Sequence, residues 1–348
     1  MQNYFKEFAR MYPNLKIDIW VDEGRGKNIF RRRASKNNYI LYDWLDSCQY
    51  FNRIYKNVFG FFGLLNFLNL AKKEKYPIII SLGTLNRHRY AKYCCKISKD
   101  GFKVGFVGGT KKINFIKNHY LKKLNEKIDL SNLQKKFTHI SDVNASWFQQ
   151  LFGVKCDKAQ RKPFINISQE WIIYAKLKFL KWNINKQKLR NNKIVFINAI
   201  AKNIKRCWSM EKVAKFISIL SLKQDFYNAN YIINVMPDQY KEFENTIKNY
   251  STKRIFLFTV ESNFFQLPSI ISLCDLVISV ETSVMHFASA LNIPLVALMR
   301  QKSPEWIPFD GKFCIVFSKK RKDWIKDILI DDVVKTTTLF VKNQEFTF

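Results

Sequence analysis

Between Lys193 and Met299 short apolar runs alternate with segments whose apolar residues recur at helical spacing, and this alternation restricts the fold more than any other feature. "KIVFINAI" (193–200) leads into "MEKVAKFISILS" (210–221), and "YIINVM" (231–236) into "DQYKEFENTIKNY" (238–250). "RIFLFTV" (254–260) precedes "LPSIISLC" (267–274), "LVISV" (276–280) precedes "SVMHFASALN" (283–292), and "PLVALM" (294–299) follows. Strands that are apolar at nearly every position are buried on both faces. With helices between them they predict a parallel sheet covered on each side. The second half therefore reads as a Rossmann-like domain.

The first half is less regular. "LKIDIWVDE" (15–23), "YPIIISLG" (76–83) and "KVGFVGG" (103–109) read as strands, and "FFGLLNFLNLAKKEK" (61–75) as an amphipathic helix feeding the second of them. "GRGKNIFRRRASKNN" (24–38) looks like a basic loop, and the charged, Asn-rich "KLKFLKWNINKQKLRNNK" (176–193) marks the domain seam. A chain of 348 residues has room for two domains. They are placed at 1–180 and 190–348, as two α/β domains facing one another across a cleft.

Composition narrows the partners. The longest apolar run, from Phe59, is broken by Asn66 and Asn69 and falls short of a membrane span. "MQNYFKEFARMYP" at the N-terminus has no secretory apolar core, so the chain is expected in the cytoplasm. Seven cysteines, at 48, 94, 95, 156, 207, 274 and 314, form no C-x-x-C pair and suit a reducing compartment. The formal charge of +31 attracts polyanions: nucleic acid, an anionic membrane or a phosphorylated substrate. Over-use of Lys, Asn, Ile and Phe accounts for part of it. No RNP sequence, zinc finger or helix-turn-helix can be placed, so no specific nucleic-acid partner is expected.

The polar knot Glu281-Thr282-Ser283 interrupts the apolar pattern between a strand end and a helix start. In an open parallel sheet that is where ligands sit. Thr282 or Ser283 can cap the helix, whose first amides then offer an anion site, with His286 one turn in. The competing reading is a plain cap with His286 satisfied in the core.

The stretch "LPSIISLCDLVISVETSVMHFASALNIPLVALM", followed by "SPEWIPF", resembles the signature of the family 9 glycosyltransferases, the lipopolysaccharide heptosyltransferases. Their strand, Asp-Thr-Gly-x-x-His, small-residue helix, strand and Pro/Trp/Pro stretch map onto Glu281, Thr282, Ser283, His286, Pro304, Trp306 and Pro308. "FINAIAKNIKRCWSMEKVAKFI" resembles the family's first C-terminal strand and loop, with Arg206 two residues before Trp208 and Lys205 beside it. "LAKKEKYPIIISLGTLNRHRYAKYCCKISKDGFKVGFVGG" and "HISDVNASWFQQLFGV" resemble segments of its N-terminal domain. The resemblance implies the two-domain GT-B fold and transfer of a sugar, most commonly heptose, from a nucleotide-diphosphate donor such as ADP-heptose to lipopolysaccharide inner core. It further implies that Glu281, Thr282, Ser283 and His286 surround the donor phosphates, and that Arg206 with Lys205 neutralises the departing diphosphate. That leaving group gains about two negative charges, which a helix N-terminus and a guanidinium answer without metal. No Asp-x-Asp clamp occurs, so neither metal nor another cofactor is expected.

Three departures stand out. Glu281 replaces the family's Asp. Ser283 replaces its Gly; glycine allows a positive φ and close approach, which serine resists by about 1 kcal/mol. The family's first strand and Gly-Asp turn, whose Asp is the general base, have no counterpart ahead of "QNYFKEFARMYPNLKIDIWVDE". Asp22, or Glu23 beside it, is the nearest substitute by topology; a donor-binding relative with little or no activity is the alternative. On the acceptor side, "TLNRHRYAK" (84–92) places Arg87, His88 and Arg89 past a predicted strand end, suited to an acidic lipid-linked saccharide or to a solvated loop. "FRRRASK" (30–36) and the Phe-rich helix could dock on the anionic inner face of the inner membrane as a peripheral protein, or the helix could be plain core.

Overall fold

The computed structural model describes residues 1–21, 40–58, 60–83, 87–107, 115–137, 139–184, 192–248, 254–302 and 304–345. The basic segment 24–38 and both base candidates, Asp22 and Glu23, lie outside the described residues. The chain forms two compact units, Met1–Asp157 and Lys158–Phe348.

In the first unit the strands are β1 (Asp18–Trp20), β2 (Arg53–Tyr55), β3 (Ile78–Ser81), β4 (Phe102–Val107) and β5 (Glu126–Asp129). The helices are α1 (Gln2–Met11), α2 (Leu41–Asp46), α3 (Gly60–Lys73), α4 (Arg87–Ile97), α5 (Phe115–Lys122), α6 (Leu130–Lys136) and α7 (Ile140–Phe152). β3, β4 and β5 make a parallel sheet in that order, and β1 pairs in parallel with β2. Val104, Phe106 and Ile128 of the sheet pack against Tyr4 of α1 and Trp147 and Phe148 of α7. The Tyr4 hydroxyl donates to the Ser141 carbonyl at 2.9 Å, fixing α1 on α7. Of the described residues in the strand expected over 15–23, Asp18–Trp20 pair with β2. α3 is half core: Phe67 and Ala71 are buried with Tyr55, while Phe61 and Phe62 face solvent.

In the second unit α8 (Gln169–Lys181), β6 (Ile194–Asn198), α9 (Met210–Leu220), β7 (Asn230–Asn234), α10 (Tyr240–Lys248) and β8 (Ile255–Phe258) come first. α11 (Gln266–Ser272), β9 (Leu276–Val280), α12 (Ser283–Ala290), β10 (Leu295–Met299), β11 (Phe313–Phe317) and α13 (Ile330–Glu345) follow. The six strands are all parallel, in the order β11-β10-β9-β6-β7-β8. Every residue of β6, β9 and β10 is buried, as their continuous apolar runs require. Alternate residues serve opposite faces. Val195 and Ile197 join Val213, Phe216 and Val333 of α9 and α13, while Ile194 and Phe196 join Phe179, Ile270 and Met285 of α8, α11 and α12. The division falls at Asp157/Lys158, upstream of the expected seam at 176–193. The reason is local: the apolar face of α8, with Ala175 and Phe179 buried, belongs to the second unit's core.

Candidate functional site

β6 and β9 are neighbours at the centre of the sheet, with Asn198 opposite Ser279 in register, so their carboxyl ends open side by side. Asn198 is 2% exposed at the last position of β6. Its Nδ2 donates to Ser279 Oγ at 3.2 Å and Thr282 Oγ1 at 3.0 Å, and its Oδ1 accepts from Asn234 Nδ2 at 2.8 Å. A buried amide must be satisfied, and here the satisfaction ties β6, β7 and β9 to the start of α12. Thr282 is the N-cap of α12, extended at φ −143, and its Oγ1 accepts from the Val284 amide at 3.4 Å.

Ser283 is the first residue of α12 and is exposed. Among the described non-glycine residues positive φ is found at Asn57, Lys75, Asn183 and Asn292, not at Ser283. The strain expected from its replacing a glycine is therefore absent, since helical φ suits serine. His286 lies half-buried in the first turn of the same helix. Pro304 and Trp306 bound a short 3-10 turn, with Trp306 44% exposed and Pro308 buried.

Glu281 is the buried carboxylate of the knot, 7% exposed. Arg300, just past the end of β10, grips it with both arms: Nε to Oε2 at 3.2 Å and an Nη to Oε1 at 3.1 Å. Arg206 reaches Oε1 at 3.4 Å. Glu281 is thus the counter-ion that gathers two guanidinium groups beside the α12 N-terminus.

Arg206 comes from the β6–α9 connection, as the last residue of a 3-10 turn, Ile204–Arg206. Three anchors shape that turn. The Asn203 side chain caps it by accepting from the Lys205 amide at 3.0 Å. Cys207 Sγ accepts from the Ala201 amide at 3.1 Å. Trp208 is 3% exposed and donates Nε1–H to the Ile328 carbonyl at 3.1 Å. Lys205 is exposed, and its ammonium lies 5.4 Å from the Trp324 ring centre. Arg300 stacks on the same ring at 5.1 Å. Arg206, Glu281, Thr282, Ser283 and His286 are thus gathered around one strand-to-helix junction, with Lys205 on the same turn as Arg206.

Sequence reading missed Asn198, Asn234, Ser279, Arg300 and Trp324. Asn198 could have been found as the one amide inside "KIVFINAI", and Arg300 as the cation immediately past an apolar strand.

Arg87, His88 and Arg89 form the first turn of α4 in the other unit. Arg89 is committed to its own helix, donating Nε–H to the Tyr93 hydroxyl at 2.6 Å. Partial burial lowers the affinity of Arg87 for its proton, an effect opposed by Asp129.

The family profile of glycosyltransferase family 9 (heptosyltransferase) matches residues 95–323. No curated protein sequence matches. Among solved structures, a family 9 glycosyl transferase from Veillonella parvula is 15% identical with a TM-score of 0.71, covering 98% of this chain and 92% of that one. The E. coli ADP-heptose lps heptosyltransferase II is 15% identical with a TM-score of 0.63, over 99% and 95% of the two chains. The E. coli heptosyltransferase WaaC, solved with ADP, is 13% identical with a TM-score of 0.63, over 97% and 94%. At such identities these likenesses establish the fold, which is GT-B. The profile match covers well over half of the sequence, and with it the chain belongs to glycosyltransferase family 9, the heptosyltransferase family.

Proposed function

We propose that the protein transfers a sugar, heptose by family habit, from a nucleoside diphosphate to lipopolysaccharide inner core or a related glycolipid. The observation that carries this reading is the partly exposed Arg206, its side chain 36% accessible, held beside the capped N-terminus of α12. As the acceptor hydroxyl attacks the anomeric carbon, the bond from that carbon to the diphosphate breaks and the electron pair leaves with the phosphate. Arg206, Lys205 and the first amides of α12 supply the positive charge that the leaving group needs, with no metal required. Thr282 and Ser283 orient the phosphates and His286 lies within the same turn. The hydroxyl's proton goes to a carboxylate, for which Asp22 is the candidate by topology.

On the acceptor side, Arg87 and His88 lie in the first turn of α4, where they can offer positive charge to an acidic saccharide. Among the described residues no helix is long and apolar enough to cross a membrane, and we assign contact with an anionic leaflet to the exposed aromatic end of α3.

The test is isothermal titration of ADP-, GDP- and UDP-sugars into the intact protein and into Arg206→Ala. Loss of one charge-assisted contact weakens binding roughly 10- to 100-fold. An intact protein that binds none of the three, or an Arg206→Ala variant that binds as well, refutes the reading.

A further inference from the structure

We propose that Arg300 is a positioning residue for the donor phosphates: by holding Glu281 with a two-armed grip it releases Arg206 to turn towards the ligand. The inference rests on the sugar-transfer reading and assigns a role to a residue outside the recognised motif.

The geometry is asymmetric. Arg300 engages both carboxylate oxygens, at 3.1 and 3.2 Å, and its side chain is only 12% exposed. Arg206 touches a single oxygen at a longer 3.4 Å and is 36% exposed. Planar two-point contacts are the strong form of a guanidinium–carboxylate pair, and a single longer contact is the weak one. Trp324 reinforces the difference, with its ring 5.1 Å from the Arg300 guanidinium. One arginine is thus built into the site and the other is tethered at its rim.

The sheet explains the arrangement. β9 and β10 are parallel neighbours with Val280 opposite Leu298, so Glu281 and Arg300 leave adjacent strand ends on the same edge. The longer side chain at 281, where the family has aspartate, extends the carboxylate's reach by a methylene towards that second strand.

Glu281 is 5% exposed in its side chain, and a buried carboxylate demands a cation. With Arg300 present the demand is met and Arg206 can exchange its weak contact for phosphate. Without Arg300 the carboxylate captures Arg206, and the donor must break that pair before it can use the guanidinium.

The experiment measures dissociation constants for ADP, GDP and UDP by titration calorimetry, with folding of each variant checked by circular dichroism. Arg300→Met is expected to weaken the best nucleotide roughly 10-fold or more, the scale of one charge-assisted hydrogen bond. Arg300→Lys falls between, because an ammonium cannot span both oxygens. The deciding variant is Arg300→Met with Glu281→Gln: once no anion remains to capture Arg206, most of the affinity returns. A merely structural Arg300 predicts a double variant at least as weak as the single one, and that result overturns the inference. In an Arg206→Ala background, Arg300→Met is expected to change affinity less than about twofold. Full additivity would mean that Arg300 touches the donor itself, which also overturns it. Failure of the unaltered protein to bind any of the three nucleotides overturns the functional reading and this inference together. Unchanged binding in Arg300→Met overturns only the inference.

Discussion

Asn198→Leu tests whether the amide at the end of β6 organises the site. Leucine has a similar volume and no polar atoms, so the substitution deletes hydrogen bonds without opening a large hole. Four are lost: to the Ile200 carbonyl, to Ser279 Oγ, to Thr282 Oγ1 and from Asn234 Nδ2. At about 0.5–1.5 kcal/mol each, the loss is about 2–6 kcal/mol. The buried apolar side chain returns about 1.5 kcal/mol, which leaves a net cost of about 2 kcal/mol. The unit Lys158–Phe348 is of a size in which each kcal/mol moves the melting temperature by about 2–4 °C, so a fall of about 4–8 °C is expected. Scanning calorimetry reads it directly. A second arm isolates the network, since replacing both members of a buried polar pair costs less than stranding one. Asn198→Leu with Asn234→Leu should therefore be destabilised by about 1 kcal/mol less than the sum of the single variants. An unchanged melting temperature in Asn198→Leu, or strict additivity in the pair, refutes the reasoning.

Two further outcomes follow from other parts of the chain. Phe62 is 82% exposed at the start of α3, so Phe62→Ser is expected to leave the melting temperature unchanged while lowering co-sedimentation with phosphatidylglycerol vesicles about 10-fold, the effect of withholding one aromatic side chain from an apolar phase; equal sedimentation would remove α3 from the membrane contact. The Asp310 carboxyl is held below its ordinary 3.8, first by the Gly311 amide and then by Lys162. It therefore stabilises the fold above that pH and loses its contribution as pH falls through the lowered value. Lys162→Met removes the second cause and should shift acid unfolding, followed by tryptophan fluorescence, to higher pH; an unmoved midpoint contradicts this.

The second unit was legible in the sequence because burial on both faces leaves an unambiguous trace. All five strands read from 193 to 299 are found, and in β6, β9 and β10 every position is buried. β11 went unassigned although "FCIVF" is as apolar as its neighbours, because the reading followed strand–helix alternation and a 3-10 turn, not a helix, stands between β10 and β11. In the first unit the signal weakens for a physical reason. β1 and β3 are half-exposed and short, so apolar character extends past the paired residues and overstates their length. The second compact unit begins at Lys158, ahead of the charged stretch 176–193, because charge alone does not distinguish a linker from the solvated face of a helix. Lys176, Lys178 and Lys181 are spaced along α8 while Ala175 and Phe179 are buried on the face between them, so residues 176–181 of that stretch belong to an amphipathic helix.

The site was half legible, and the division follows the kind of interaction. Residues that act through the backbone of one junction, such as Thr282 as a cap, are local and can be read from spacing. Residues that act across strands cannot, because their partners lie 81 positions away, as for Asn198 and Ser279, or 19, as for Arg300 and Glu281. Register converts those distances into neighbours, and register is fixed only once strand order is known. The departure at 281 shows the consequence. Read alone, a glutamate in place of aspartate is a misfit beside a tight backbone. Read with Arg300 across the neighbouring ends of β9 and β10, the longer carboxylate has a partner, and the two side chains form one electrostatic unit. The excess of cations in this chain could not have singled out that pair. What separates Arg300 and Arg206 from a surface lysine is a buried anion within reach, and only the order of the strands supplies it.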